Sequence, residues 1–185
     1  MKKILFLLIV FLLFLPLWGC NTELQGKDRA AIPSIQDVDE AYIKAYEAFT
    51  WFEISTMPVE STTKEADGMI YNKVNHDTIK TYVDLENYFH SIFSQDIAEE
   101  VLNTEFKRYR DIDGELYGIL ADRGTDIYKG EEAFEVRQES DVKFIYTVEV
   151  ELLGADYSVI GYESHEFLYE LINGQWVFTN FYLFR

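Results

Sequence analysis

Val142-Lys-Phe-Ile-Tyr-Thr-Val-Glu-Val-Glu-Leu-Leu153 is the stretch that decides the fold class. Val142, Phe144, Tyr146, Val148, Val150 and Leu152 take alternate positions, with Lys143, Thr147, Glu149 and Glu151 between them. Successive strand side chains point to opposite faces, so this pattern describes a strand with one buried and one wet face. Such strands belong to antiparallel sheets. Downstream, Tyr162–Ile172 and Trp176–Phe184 read as two further strands, and Asn173-Gly174 joins them as a tight hairpin. Upstream, Phe134–Gln138 is a short strand, and Asp113-Gly114 turns Lys107–Ile112 back onto Glu115–Leu120. Met69–Val74 is one more candidate strand.

Before residue 105 the period is helical. Ser34 with Asp37 three residues on forms a capping box. Ile35, Val38, Tyr42, Ala45, Tyr46, Phe49 and Phe52 then make an apolar stripe, and Pro58 bars its continuation. Thr81 caps a second helix that sets Leu85, Tyr88, Phe89, Ile92 and Phe93 on one face. Ser94 caps a third, carrying Ile97, Val101 and Leu102. Residues 59–68 read as a polar loop, and Ala121–Glu132 as a loop rich in Gly and Asp. Helices first and strands after them mean an α+β fold, not a wound α/β one. N-terminal helices packed on a curved antiparallel sheet are the cystatin-like arrangement, expected here as a single domain over residues 34–185.

The first residues have a separate purpose. Lys2 and Lys3 precede an unbroken apolar run from Ile4 to Leu15, and the chain's one cysteine, Cys20, follows Gly19. A basic start, an apolar stretch and a small residue before the cut define a secretory signal over residues 1–19. Its form is that of a bacterial lipoprotein signal, with Cys20 as the lipid attachment site. Two acyl chains suffice for stable anchoring. Residues 20–33 read as a polar tether, so the domain is expected outside the cell, lipid-anchored to the outer face of the membrane. A lone cysteine permits no intrachain disulfide, which fits a Gram-positive envelope.

The 185 residues hold 33 acidic and 16 basic side chains, a formal charge of −17; without Lys2 and Lys3 the mature chain stands at 14 against 33, or −19. Phosphates would repel such a protein, which argues against a nucleic-acid partner. Three scattered histidines and no free cysteine offer little for a metal site. Asp111-x-Asp113-Gly114 begins like a calcium loop but lacks the later ligands, and reads as a hairpin turn. His76-Asp77 reads as a turn before a helix cap. No nucleophile elbow, phosphate loop or dinucleotide fingerprint occurs, so neither a cofactor nor an enzymatic activity is expected.

One loop is less bland. Ala121-Asp122-Arg123-Gly124-Thr125-Asp126 follows a strand end and is too polar for core. Arg123-Gly124 suits a tight turn that pushes Asp122 and Asp126 outward. Elsewhere, Glu163 and His165 share one face of a strand and could form an acid–base pair in a cone-shaped pocket. A small-ligand module, or a hydrolase using that pair, is therefore an alternative. So is a wall-glycan binder with sugars stacked on the sheet's aromatics, or a purely structural lipoprotein.

Tyr71-x-Lys73-Val74, the Thr81-led helix to Phe89, the Ser94-led helix to Leu102, Asp113-Gly114-x-Leu116-Tyr117 and Arg123-Gly124 carry a family resemblance. Over Tyr71–Asp126 the chain resembles the IseA-type D,L-endopeptidase inhibitors of Gram-positive cell envelopes. The resemblance implies a cystatin-like domain that blocks cysteine endopeptidases cutting the stem peptides of peptidoglycan. It makes such an enzyme the expected partner. Asp122, Arg123, Gly124 and Asp126 are the contact residues assigned to it here. Family members are exported without a lipid anchor, and Cys20 sets this chain apart from them.

Overall fold

In a computed structural model, which describes residues 30–104 and 107–185, Ser34 begins the first helix as its capping box predicts. The Asp37 amide donates to the Ser34 hydroxyl at 3.2 Å, and the Ser34 amide donates to the Asp37 carboxylate at 2.8 Å. Helix α1 spans Ile35–Glu53 and buries Val38, Tyr42, Ala45, Ala48, Phe49 and Trp51. Ile35, counted in the stripe, is exposed instead. Helix α2 (Tyr82–Ile92) has the same reciprocal cap between Thr81 and Asp84. Helix α3 (Gln95–Leu102) follows after a sharp corner, but the Ser94 hydroxyl makes no capping bond. The corner is held from outside, by the Ser94 amide donating to the Phe178 carbonyl at 2.8 Å.

The strands are β1 (Val59–Ala66), β2 (Met69–Val74), β3 (Tyr109–Ile112), β4 (Glu115–Gly118), β5 (Lys129–Ser140), β6 (Lys143–Leu153), β7 (Val159–Ile172) and β8 (Gln175–Phe178). Among the described residues, these strands and three helices make an α+β fold. They form not one sheet but two, each antiparallel and four-stranded, in the orders β1-β2-β4-β3 and β5-β6-β7-β8. Among the described residues no helix is long and apolar enough to cross a membrane. Cys20, the expected signal and most of the expected tether lie outside the described residues.

Two differences from the sequence-based expectation share one cause. Residues 59–66, read as loop, are strand β1, and β5 begins at Lys129, inside the stretch read as loop. Both are edge strands, exposed over most of their length, so burial leaves no apolar alternation in them. Ladder hydrogen bonds and turns hold them in place. Asp67 and Gly68, at φ 52° and 72°, close β1 onto β2, a hairpin dipeptide of the same kind as the other two.

The last strand differs for another reason. The expected strand Trp176–Phe184 ends at Phe178. Beyond it the Asn180 side chain takes over the edge of β7: the Leu168 amide donates to Asn180 Oδ1 at 2.5 Å, and Asn180 Nδ2 donates to the Glu166 carbonyl at 2.8 Å. Residues 179–185 then cross the inner face of the second sheet as a strap. Phe181 packs on Phe167 with ring centroids 4.9 Å apart, and Arg185 reaches β5, pairing with Glu132.

Register places Phe144, Tyr146, Val148 and Val150 on that inner face with Tyr169, Phe167, His165 and Glu163 of β7. Helix α1 covers its middle, with Tyr42 stacked on Tyr146 at 4.0 Å and 11°. The first sheet joins the same core through Val74, Tyr109 and Leu116, which cluster with Trp51, Met57 and Phe89. The buried Tyr109 hydroxyl ties the two parts, accepting from the Met57 amide at 2.8 Å and donating to the Trp51 carbonyl at 3.0 Å.

Asn173-Gly174 forms the β7–β8 turn with φ values of 52° and 88°. A Cβ at Gly174 would meet nothing within 4 Å, so the strain of a larger residue there is purely conformational. Gly174→Val should therefore cost roughly 1–3 kcal/mol. The measurement is the urea midpoint, and a midpoint equal to wild type would show that this turn does not set the hairpin.

Candidate functional site

The loop after β4 is braced at both ends. Thr56, just beyond α1, accepts from the Ala121 amide on its hydroxyl at 2.9 Å and donates its own amide to the Ala121 carbonyl at 3.1 Å. Ser55 and Asp122 form an isolated antiparallel bridge, and the Arg123 amide donates to the Ile54 carbonyl at 2.9 Å. At the far end, the Leu153 amide of β6 donates to the Tyr128 carbonyl at 2.8 Å. The span between these roots projects from the fold, and Asp122, Arg123, Gly124, Thr125 and Asp126 are all exposed.

Within the loop, each aspartate holds backbone with one oxygen. Asp122 Oδ1 accepts from the Gly124 amide at 3.0 Å, and Asp126 Oδ1 accepts from the Tyr128 amide at 2.9 Å. Gly124 sits at φ 72°, the left-handed conformation that lets the chain reverse between the two. These local turns orient both carboxylates and leave one oxygen of each for a partner or solvent. Preorganised acceptors of this kind lose little freedom on binding. The four residues picked from the sequence thus lie together on one exposed, rooted loop.

The other candidate pair is also brought together, in a different setting. His165 Nε2 lies 2.9 Å from Glu163 Oε1, and His165 Nδ1 lies 3.0 Å from the Tyr182 hydroxyl. Phe184 stacks on the imidazole at 4.3 Å. Lys129 also pairs with Glu163, and its hydrogen bond, with that of His165, holds the Glu163 carboxyl below the usual carboxylate range. The pair therefore faces inward beneath the C-terminal strap, with both imidazole nitrogens engaged. No local pattern in the sequence marks the strap, whose Tyr182 and Phe184 pack against His165 where the alternative reading would place a cone-shaped pocket.

The aromatic stripe offered as a sugar platform is core: Phe144, Tyr146, Phe167 and Phe178 are buried on the inner face. His76 is a turn residue, its Nδ1 accepting from the Ile79 amide at 3.1 Å. Asp113-Gly114 is a hairpin turn at φ 54° and 81°. A groove of about 600 Å³ lies between the first sheet and Tyr82. Its cations are engaged, Arg110 with Asp67 and Lys107 with the Leu102 carbonyl, while Tyr71 and Tyr109 on its floor are buried.

What the sequence did not reveal is the neighbour of the acidic loop. The β6–β7 turn stands beside it, with Tyr157 stacked on Tyr128 at 6.5 Å and 17°. No protein-family model matches the chain, and no curated protein matches it.

Proposed function

We propose that this protein is a cell-envelope lipoprotein, held by Cys20, that inhibits cysteine D,L-endopeptidases of peptidoglycan by direct protein–protein binding. The observation that carries the proposal is the rooted loop that projects Asp122 and Asp126 from a domain of net charge −19. Stem peptides bear several carboxylates, so a groove built to bind them is electropositive. Two oriented carboxylates imitate that substrate, and the acidic domain is steered toward the groove. The outer face of the second sheet adds to the field, with Glu135, Glu149 and Glu166 all exposed there. The family resemblance over Tyr71–Asp126 supports the same role.

The test is an inhibition assay with the purified protein and the cysteine wall endopeptidases of its own organism. Stem-peptide cleavage should slow in proportion to added protein, reaching completion at equal stoichiometry, and the protein alone should leave the substrate intact. Association should slow as salt rises from low to physiological strength, because a Debye length near 8 Å screens the steering. Undiminished cleavage by every such enzyme would overturn the role.

A further inference from the structure

The β6–β7 turn and the first two residues of β7, Gly154–Ile160, lie next to the acidic loop and carry exposed apolar side chains outside the core. Tyr157 is 62% exposed, Ile160 70%, Ile127 61% and Tyr128 47%. Tyr128 stacks on Tyr157, Ile127 precedes Tyr128 in the chain, and Ile160, the second residue of β7, lies against Gly154 at the base of the turn, where a Cβ would come within 3.1 Å of its Cγ2. Exposed apolar clusters of this kind, rimmed by polar groups, mark contact surfaces, and tyrosine is enriched at interface centres.

The backbone supports this. Tyr157 adopts φ 61°, a left-handed conformation that a bulky residue rarely takes. The turn holds it there through the Tyr157 amide donating to the Gly154 carbonyl at 2.9 Å and the Gly154 amide donating to the Ser158 carbonyl at 2.8 Å. Asp156 braces the turn by accepting from the Ser158 hydroxyl at 2.7 Å and from its amide at 3.2 Å. Strain kept at an exposed tip points to a use for the displayed side chain.

We infer that Tyr157 and Ile160, with Ile127 and Tyr128, form the apolar centre of a protein-binding surface, with Asp122, Asp126 and Asp156 as its acidic rim. The occupant is a protein whose groove is apolar inside and basic at its edges. It is the endopeptidase groove of the proposal above, on which this inference rests. Charge decides among the possible occupants. An anionic lipid surface, or a second copy of a −19 chain, would face the three aspartates with like charge. Position agrees. The Ala31 carbonyl accepts from Trp176 Nε1 at 3.0 Å, so the tether joins the domain where β8 pairs with Leu171. Val159 lies twelve residue steps away along β7, or roughly 40 Å at strand spacing. The cluster is at the end of the sheet remote from the point where Ala31 joins the domain.

The experiment compares wild type with Tyr157→Ser/Ile160→Ser and with Tyr157→Gly, all as the purified full chain. None of these changes alters net charge. The double variant should weaken inhibition at least about 30-fold, as expected when an interface centre is lost, through faster dissociation and with the salt dependence of association unchanged. Tyr157→Gly relieves the left-handed strain, so it should keep or raise the urea midpoint while still weakening inhibition. A wild type that inhibits while both variants inhibit equally well would overturn the inference and leave the proposed function standing. A wild type that inhibits no wall endopeptidase would overturn both. A self-association in sedimentation, or a binding to phosphatidylglycerol vesicles, that the double variant abolishes would assign the surface to another occupant and overturn it as well.

Discussion

Asp122→Lys combined with Asp126→Lys should abolish inhibition and leave the protein folded. Two carboxylates facing a basic groove become two ammonium groups, and like charges brought into contact cost several kcal/mol. The fold should lose little, because both side chains are exposed and hydrogen-bond to amides of their own loop. Each substitution forfeits one hydrogen bond to a loop amide, worth about 1 kcal/mol at most at an exposed turn. The paired change to asparagine separates charge from geometry. Asparagine can still accept from the Gly124 and Tyr128 amides, so loop shape persists while both charges vanish. Inhibition should then fall to an intermediate level, with a shallower salt dependence of association. A double-lysine variant with the wild-type inhibition constant would remove this loop from the contact surface.

Phe178→Ala should cost about 3–5 kcal/mol of folding stability, the usual range for emptying a buried aromatic site. Phe178 is 0% exposed and stands where four parts of the fold meet. Its ring packs on Tyr169 at 4.8 Å, on Phe181 of the strap at 5.3 Å and on Tyr42 of α1 at 6.3 Å. Its carbonyl holds the α2–α3 corner through the Ser94 amide. Domains of this size are stable by only about 5–15 kcal/mol, so the loss should move the denaturant midpoint far while the slope stays constant. Phe134→Ala is the matched control. That ring is 61% exposed on edge strand β5 and stacks on Tyr146 at 5.8 Å. Its loss should fall within about 1 kcal/mol. Equal midpoint shifts for the two variants would show that the strap and corner do not converge on Phe178.

The two residues also show how far sequence reasoning reaches. Both sit in runs rich in aromatics, and strand propensity treats them alike. In Trp176–Phe184 apolar residues occupy both phases of a strand, so no alternation tells which side is buried or where pairing stops. The side chain of Asn180 stops it, by binding backbone of β7 that is distant in sequence. The acidic loop was visible as an exposed loop because its turns are built from neighbours. Its apolar companion was not, because nothing local in the stretch between Leu153 and Tyr162 tells that the fold sets Tyr157 beside Tyr128.

Features decided within about four residues of chain were therefore determined by the sequence alone. These include the capping boxes at Ser34 and Thr81 and the hairpin turns at Asp113-Gly114 and Asn173-Gly174. The strong negative charge belongs with them, since it needs no structure at all. The tertiary structure decided what depends on groups far apart in the chain. It made an exposed polar stretch into edge strand β1 and divided eight strands into two sheets. It turned the last seven residues into a strap over His165, and it joined the loop at Asp122–Tyr128 to the β6–β7 turn at Tyr157. The physical reason is that ladder bonds and ring contacts between distant residues are set by which elements meet, and no local pattern records that.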